Sequence, residues 1–163
     1  MSRKLNPAHV EAVINLINQG PYFRLLSMAV RELGPGYSLV EVDMEEKHLN
    51  PFGGIHGGVY SSLIDTAAYW AVYCELEENV GLISLDLKVD NLSPVKEGKL
   101  IVKGRRIKIG RNVCLAEATV SDEKGKALAH GTSKQMITRG LQTIEQAVLA
   151  MGGKPLPPKF IEE

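Results

Sequence analysis

The order of apolar patterns along the chain predicts an α+β fold, an antiparallel β-sheet wrapped around one long central helix. Two observations carry this. Between Lys47 and Glu75 the only formally charged residue is Asp65, and its neighbours Leu63, Ile64, Ala67, Ala68 and Ala71 recur at helical spacing. Beyond that run come four segments with strand-like patterns joined by short connections, a hairpin succession rather than alternating strands and helices.

The elements follow in order. Asn6 is placed to cap and Pro7 to open a first helix carrying Val10, Val13, Ile14 and Ile17 on one face, with Gly20-Pro21 as its stop. Pro21 to Leu26 reads as a turn of helix, and Met28 to Leu33 as an extended segment running into the Gly34-Pro35-Gly36 turn. Val40, Val42 and Met44 recur with period two, hence a strand. After the central helix, Ile83, Leu85, Leu87 and Val89 alternate with Ser84, Asp86, Lys88 and Asp90, which predicts one apolar and one polar face. Leu100 to Ile109 is the next strand. Gly110-Arg111 turns the chain into Val113 to Val120, whose small residues Cys114, Ala116 and Ala118 share a face, as close packing of a helix would require. Asp122 to Gly125 turns into a last strand, Ala127 to Thr138. Leu141, Ile144, Val148 and Leu149 then trace an amphipathic helix ending at Gly152-Gly153, followed by a Pro-rich tail.

Composition bounds the function. With 163 residues the chain is expected to form a single domain, 1–163, whose shared core spans about 36–138. Apolar residues make up 44% and charged residues 23%, which excludes a disordered or membrane-embedded chain. Nineteen basic and nineteen acidic residues cancel, so no global field attracts nucleic acid or a membrane, and any anion site must be local. The basic pair Arg3-Lys4 is not followed by an apolar run, so the expectation is a cytoplasmic protein. Cys74 and Cys114 lack metal or redox spacing and read as free buried thiols. His48, His56 and His130 likewise have no metal-ligand spacing, and no metal is expected.

The central stretch holds the candidate chemistry: Asn50, then His56-Gly57-Gly58, then Asp65-Thr66 with the carboxylate nine residues past the histidine, followed by Ser84 and Ser93-Pro94. In this order of elements the motif resembles the hotdog-fold acyl-CoA thioesterases, specifically the phenylacetate-degradation and THEM-like branch of the 4-hydroxybenzoyl-CoA thioesterase superfamily. The resemblance covers about Gly36 to Thr138. It implies hydrolysis of acyl-CoA or aryl-CoA thioesters. Coenzyme A is then part of the substrate, and no separate cofactor is needed.

Physical reasons stand beside each implied role. Gly57 and Gly58 open the helix, where backbone N–H groups are unpaired and the helix dipole is positive, and the resemblance assigns the Gly57 N–H to polarising the thioester carbonyl. The same glycines would also serve a tight turn. Asp65 shares a helical stripe with Ser61 and Tyr69; a carboxylate in such a setting is expected to be paired, capped or functional. By resemblance it is a general base or a nucleophile, the alternative being a structural bond to Ser61 or to a backbone N–H. Asn50 has an amide able to hold a water or the thioester, or simply to form its turn. His56 is either a positioning group or a structural histidine. Ser84 matches a serine that in the resembling branch reaches the site from a neighbouring subunit; as an isolated chain it would read as solvent-facing.

Six basic and no acidic residues lie between Gly98 and Ala116, and Arg106, Lys108 and Arg111 are the candidates for the phosphates of coenzyme A. A helix covered by a sheet on one side needs a second cover, so a homodimer or homotetramer is expected. The competing functional class is a non-catalytic hotdog module that binds acyl-CoA. A hotdog dehydratase would want a histidine about five residues past its aspartate, where this chain has Thr66-Ala67-Ala68-Tyr69-Trp70.

Overall fold

The structure is a computed structural model and describes residues 3–162. Its elements are β1 (Arg3–Leu5), α1 (Pro7–Ile17), α2 (Pro21–Leu26), β2 (Met28–Gly34), β3 (Tyr37–Asp43), α3 (Gly57–Tyr73), β4 (Val80–Asn91), β5 (Lys99–Ile109), β6 (Val113–Ser121), β7 (Ala127–Arg139), α4 (Ile144–Ala150) and β8 (Phe160–Glu162). Six strands form one antiparallel sheet in the order β2-β3-β5-β6-β7-β4, and β1 and β8 pair separately.

Helix α3 lies across the inner face of that sheet. Leu63, Ile64, Ala67, Ala68, Ala71 and Val72 are fully buried, and they meet Val40, Val102, Cys114, Ala116, Ala118 and Val120 from the strands. Small residues set the spacing. A side chain at Gly104 would place its Cβ 2.2 Å from the Ala67 carbonyl oxygen, so only glycine lets β5 and α3 come this close. Ser38 uses the same proximity, donating its hydroxyl to Ala67 O at 2.6 Å. The capped first helix matches its sequence signals: Asn6 Oδ1 accepts from Ala8 N, and Pro7 occupies the first turn.

Three expectations need correction. The strict alternation expected for β4 is broken by a bulge between Ser84 and Asp86: Ser84 faces Gln135, Asp86 faces Lys134 and Leu87 faces Ser133. Directly opposed residues share a face, and Gln135 and Ser133 are fully buried. Hence Leu82 and Ser84 point inward before the bulge, and Leu87 and Val89 after it. The predicted single apolar face Ile83-Leu85-Leu87-Val89 does not exist, because one extra residue inverts every side chain that follows.

The C-terminal helix is shorter than its apolar pattern suggested. Leu141 precedes it and Leu149 is exposed, leaving Val148 as its buried residue. The Pro-rich tail is also more than a tail. It returns to pair with β1, and the buried Lys159 donates from Nζ to the carbonyls of Tyr73 and Leu76 at 2.6 and 2.7 Å, capping the end of α3. Burial pulls that ammonium down to about 8. His9 completes the clasp between Tyr73 Oη and Pro157 O, each 2.7 Å away.

Candidate functional site

The segment before α3 is fastened by histidines. His48 is fully buried, accepts from Glu45 N at Nδ1 and donates from Nε2 to Leu26 O at 2.6 Å. His56 N donates to His48 O at 2.8 Å, and a bridge joins Leu49 to Ile55. Asn50 spends its amide on the same loop. Its Oδ1 accepts from Phe52 N at 2.9 Å and Gly54 N at 3.3 Å, while Nδ2 donates to Ile55 O at 3.3 Å. Pro51 after it and Gly53 at φ +81° complete this turn.

His56 is the N-cap of α3. Its Nδ1 accepts from Gly58 N at 2.9 Å, and its carbonyl accepts from Val59 N at 2.9 Å. Gly57 N–H, at the first helical position, lies too early for an intrahelical partner, and the residue lines a cleft of about 290 Å³ with Ile55, Tyr60, Asn91 and Ser93. The cap therefore satisfies its neighbours and leaves the Gly57 donor free. Asn91, at the end of β4, would stand 3.0 Å from a Cβ at Gly57; no local sequence pattern marks it.

Asp65 lies two turns further along. Ser84 Oγ donates to Asp65 Oδ1 at 2.9 Å, and this is the carboxylate's side-chain partner among the described residues. The alternative bond to Ser61 is not made; Ser61 Oγ donates instead to Gly57 O at 3.4 Å. Asp65 and Ser84 meet within one chain, so this contact needs no second subunit. No cation pairs with Asp65 among the described residues, and burial pushes its carboxyl up, the Ser84 bond opposing this in part. It lines a cleft of about 460 Å³ with Tyr22, Met28, Thr66, Tyr69 and Leu87. Tyr22 Oη and Ser62 Oγ close one side at 2.6 Å. Burial, and then the negative charge of Asp65, push the Tyr69 phenol up to about 12, and its Oη donates to Leu82 O at 3.1 Å.

Gly57 and Asp65 thus occupy separate clefts. Eight residues of helix set them about 12 Å apart along its axis.

The three cations are not brought together. A bulge between Arg106 and Lys108 sets Arg106 opposite Ala116 and Lys108 opposite Leu115, adjacent residues of β6 that face opposite ways. Arg106 Nε is held by Glu75 at 2.8 Å, whereas Lys108 and Arg111 are exposed without an ion-pair partner among the described residues. No group of three or more His, Cys, Asp or Glu could hold a metal among the described residues, and no described helix is long and apolar enough to cross a membrane.

An antiparallel sheet wrapped around one long helix is the hotdog architecture. The thioesterase superfamily model matches residues 52–129, which include Gly57, Asp65 and Ser84. A Saccharolobus solfataricus protein assigned as an esterase is 30% identical over 131 residues, 80% of this chain and 86% of its own. Acyl-coenzyme A thioesterase 13 of Homo sapiens is 28% identical over 99 residues, 60% of this chain and 70% of its own. A Haemophilus influenzae thioesterase structure superposes with a TM-score of 0.75 at 23% identity, covering 81% of this chain and 92% of that one, a likeness of fold. The chain belongs to the thioesterase superfamily.

Proposed function

We propose that this chain hydrolyses acyl-CoA thioesters to the free acid and coenzyme A, with Asp65 as general base, in a cytoplasmic homo-oligomer. The observation that carries the reading is the half-buried Asp65, fixed through one oxygen by Ser84 and, among the described residues, paired with no cation. The other oxygen is free to take the proton of a water attacking the thioester carbonyl. A carboxylate pushed upward is a stronger base, which suits that step. As the carbonyl carbon becomes tetrahedral its oxygen gains charge, and the Gly57 N–H at the positive end of α3 is the donor that stabilises it. The C–S bond then breaks and the thiolate of coenzyme A leaves, taking up the proton. His56 acts by capping, which holds Gly58 and leaves Gly57 available; Asn50 acts by shaping the loop that presents this end.

Because one chain holds Gly57 and Asp65 apart, we infer a site completed between subunits, Gly57 from one and the Asp65–Ser84 pair from the other. Two features support a homodimer. Strand β4 ends the sheet with twelve residues and an unpaired edge, and it exposes Leu85 and Leu87, 52% and 39% accessible. The face of α3 that carries Ser61, Ser62 and Asp65 is also only partly covered. Lys108 and Arg111 are the cations left for the phosphates of coenzyme A; Arg106 would first have to leave Glu75. Mixing inactive Asp65→Asn and Gly57→Pro proteins tests the arrangement. Random dimers would regain about a quarter of native thiol release, since half the dimers are mixed and one of their two sites is intact. No recovery on mixing proteins shown to exchange subunits would sink the shared site.

A further inference from the structure

Beside the Asp65 cleft lies a second chamber of about 350 Å³, floored by Tyr73 and Leu82 and roofed by α4 through Ile144 and Ala147. Tyr69 and Trp70 line both spaces, so the chamber adjoins the cleft of the carboxylate across these two side chains. Its roof is built. Gly81 lets the chain after β7 cross β4 at backbone contact, for a Cβ there would stand 2.0 Å from Leu141 O and 2.4 Å from Gln142 O. Thr138 Oγ1 donates to Leu141 O, and Gln146 Nε2 donates to Gly140 O at 2.9 Å, fixing the entry to α4.

Several of the polar groups at its wall are already used. Tyr69 Oη donates to Leu82 O, Thr143 Oγ1 accepts from Gln146 N at 3.3 Å as the cap of α4, and the Gln146 amide is taken by Gly140. What remains for a ligand is chiefly apolar surface, with the Gln142 amide among the lining groups. Beyond Ile144 a further space of about 340 Å³ opens between Val148, Leu149 and Leu156, and Ile144 is the side chain common to both.

Resting on the hydrolase reading above, we propose that the chamber beneath α4 takes the tail of an unbranched, non-polar acyl group, and that Ile144 sets the length accepted. This roof lies outside residues 52–129, so it is a feature of this chain's C-terminal segment. Its volume is at the small end for ligand sites, which suits medium chains.

The test is kcat/KM for saturated acyl-CoAs of increasing length, with the native protein, Ala147→Phe and Ile144→Ala. Native kcat/KM should climb about fourfold per added methylene and then level off. Ala147→Phe should move the plateau to shorter chains and Ile144→Ala to longer ones. A native protein that hydrolyses acyl-CoA with one length profile shared by both variants overturns the proposal while leaving the hydrolase reading intact. If no acyl-CoA is hydrolysed, that reading fails, and the chamber is judged separately by the single tryptophan, Trp70. Saturated fatty acids should then change its fluorescence with a length dependence that shifts in Ile144→Ala, and no such change overturns the chamber as a tail site.

Discussion

Ser84 on β4 donates its hydroxyl to Oδ1 of Asp65 on α3 at 2.9 Å, and the bulge that follows Ser84 then hands the inner face on to Leu87. One irregularity in an end strand therefore supplies both a partner for the carboxylate and an apolar wall to its cleft.

Ser84→Ala tests the consequence for pH. The hydroxyl favours the ionised carboxylate against burial, so its loss pushes the Asp65 carboxyl further up. The acid limb of the kcat/KM profile should move to higher pH. Activity should fall roughly tenfold on the acid side, as for loss of a hydrogen bond to a charged group, and recover toward alkaline pH. A uniform loss at every pH would assign Ser84 to another task.

The same burial makes Asp65 a cost to the fold. A carboxyl raised in the folded state binds protons more tightly there than in the unfolded chain. Stability therefore falls as pH rises from the ordinary carboxylate value through the raised one. Asp65→Asn should melt at or above the native temperature at neutral pH, and this advantage should disappear in acid, where both states are protonated. Calorimetry at the two pH values reads the difference.

Gly57 separates backbone donor from side-chain space. Position one of a helix tolerates proline, and His56 at φ −72°, ψ 129° has the extended backbone that a following proline needs. Gly57→Pro should keep the fold and lose roughly 10²–10³ in kcat. Gly57→Ala keeps the N–H and has only to displace the Asn91 amide, 3.0 Å from its Cβ, so it should remain far more active than the proline variant. Circular dichroism beside kinetics distinguishes lost chemistry from lost structure.

His56 is expected to behave as a cap. His56→Ala should cost about 1 kcal/mol, a fall in Tm of roughly 2–4 °C, while His56→Ser should restore most of both stability and turnover. A serine variant as inactive as the alanine one would give the imidazole a chemical role.

Much of this fold was legible in the sequence wherever local chemistry decides the outcome. Asn6-Pro7 opens α1 as its residue types dictate, the apolar run before Cys74 becomes α3, and Cys114, Ala116 and Ala118 face it as small residues must. The misread features depend on partners distant in sequence. The register of β7 against β4 decides which way Ser84 points, and that of β6 against β5 sends Arg106 and Lys108 to opposite faces. Lys159, in a Pro-rich stretch, gives no local hint that its ammonium caps a helix 86 residues earlier. Of the candidate site, the sequence marked Gly57 and Asp65 and, through helix length, their separation, but not the two clefts that they line. Asn91 carried no signal at all, whereas Ile144 and Val148 were legible as one face of α4 but not the chamber that this helix roofs.

Thiol release from acyl-CoA by the native protein and by Asp65→Asn, compared at equal folded concentration, bears most directly on Asp65 as the base. The native protein should turn over steadily, and the variant should fall by roughly 10²–10⁴ while retaining its fold. Equal rates in the two proteins would contradict the account.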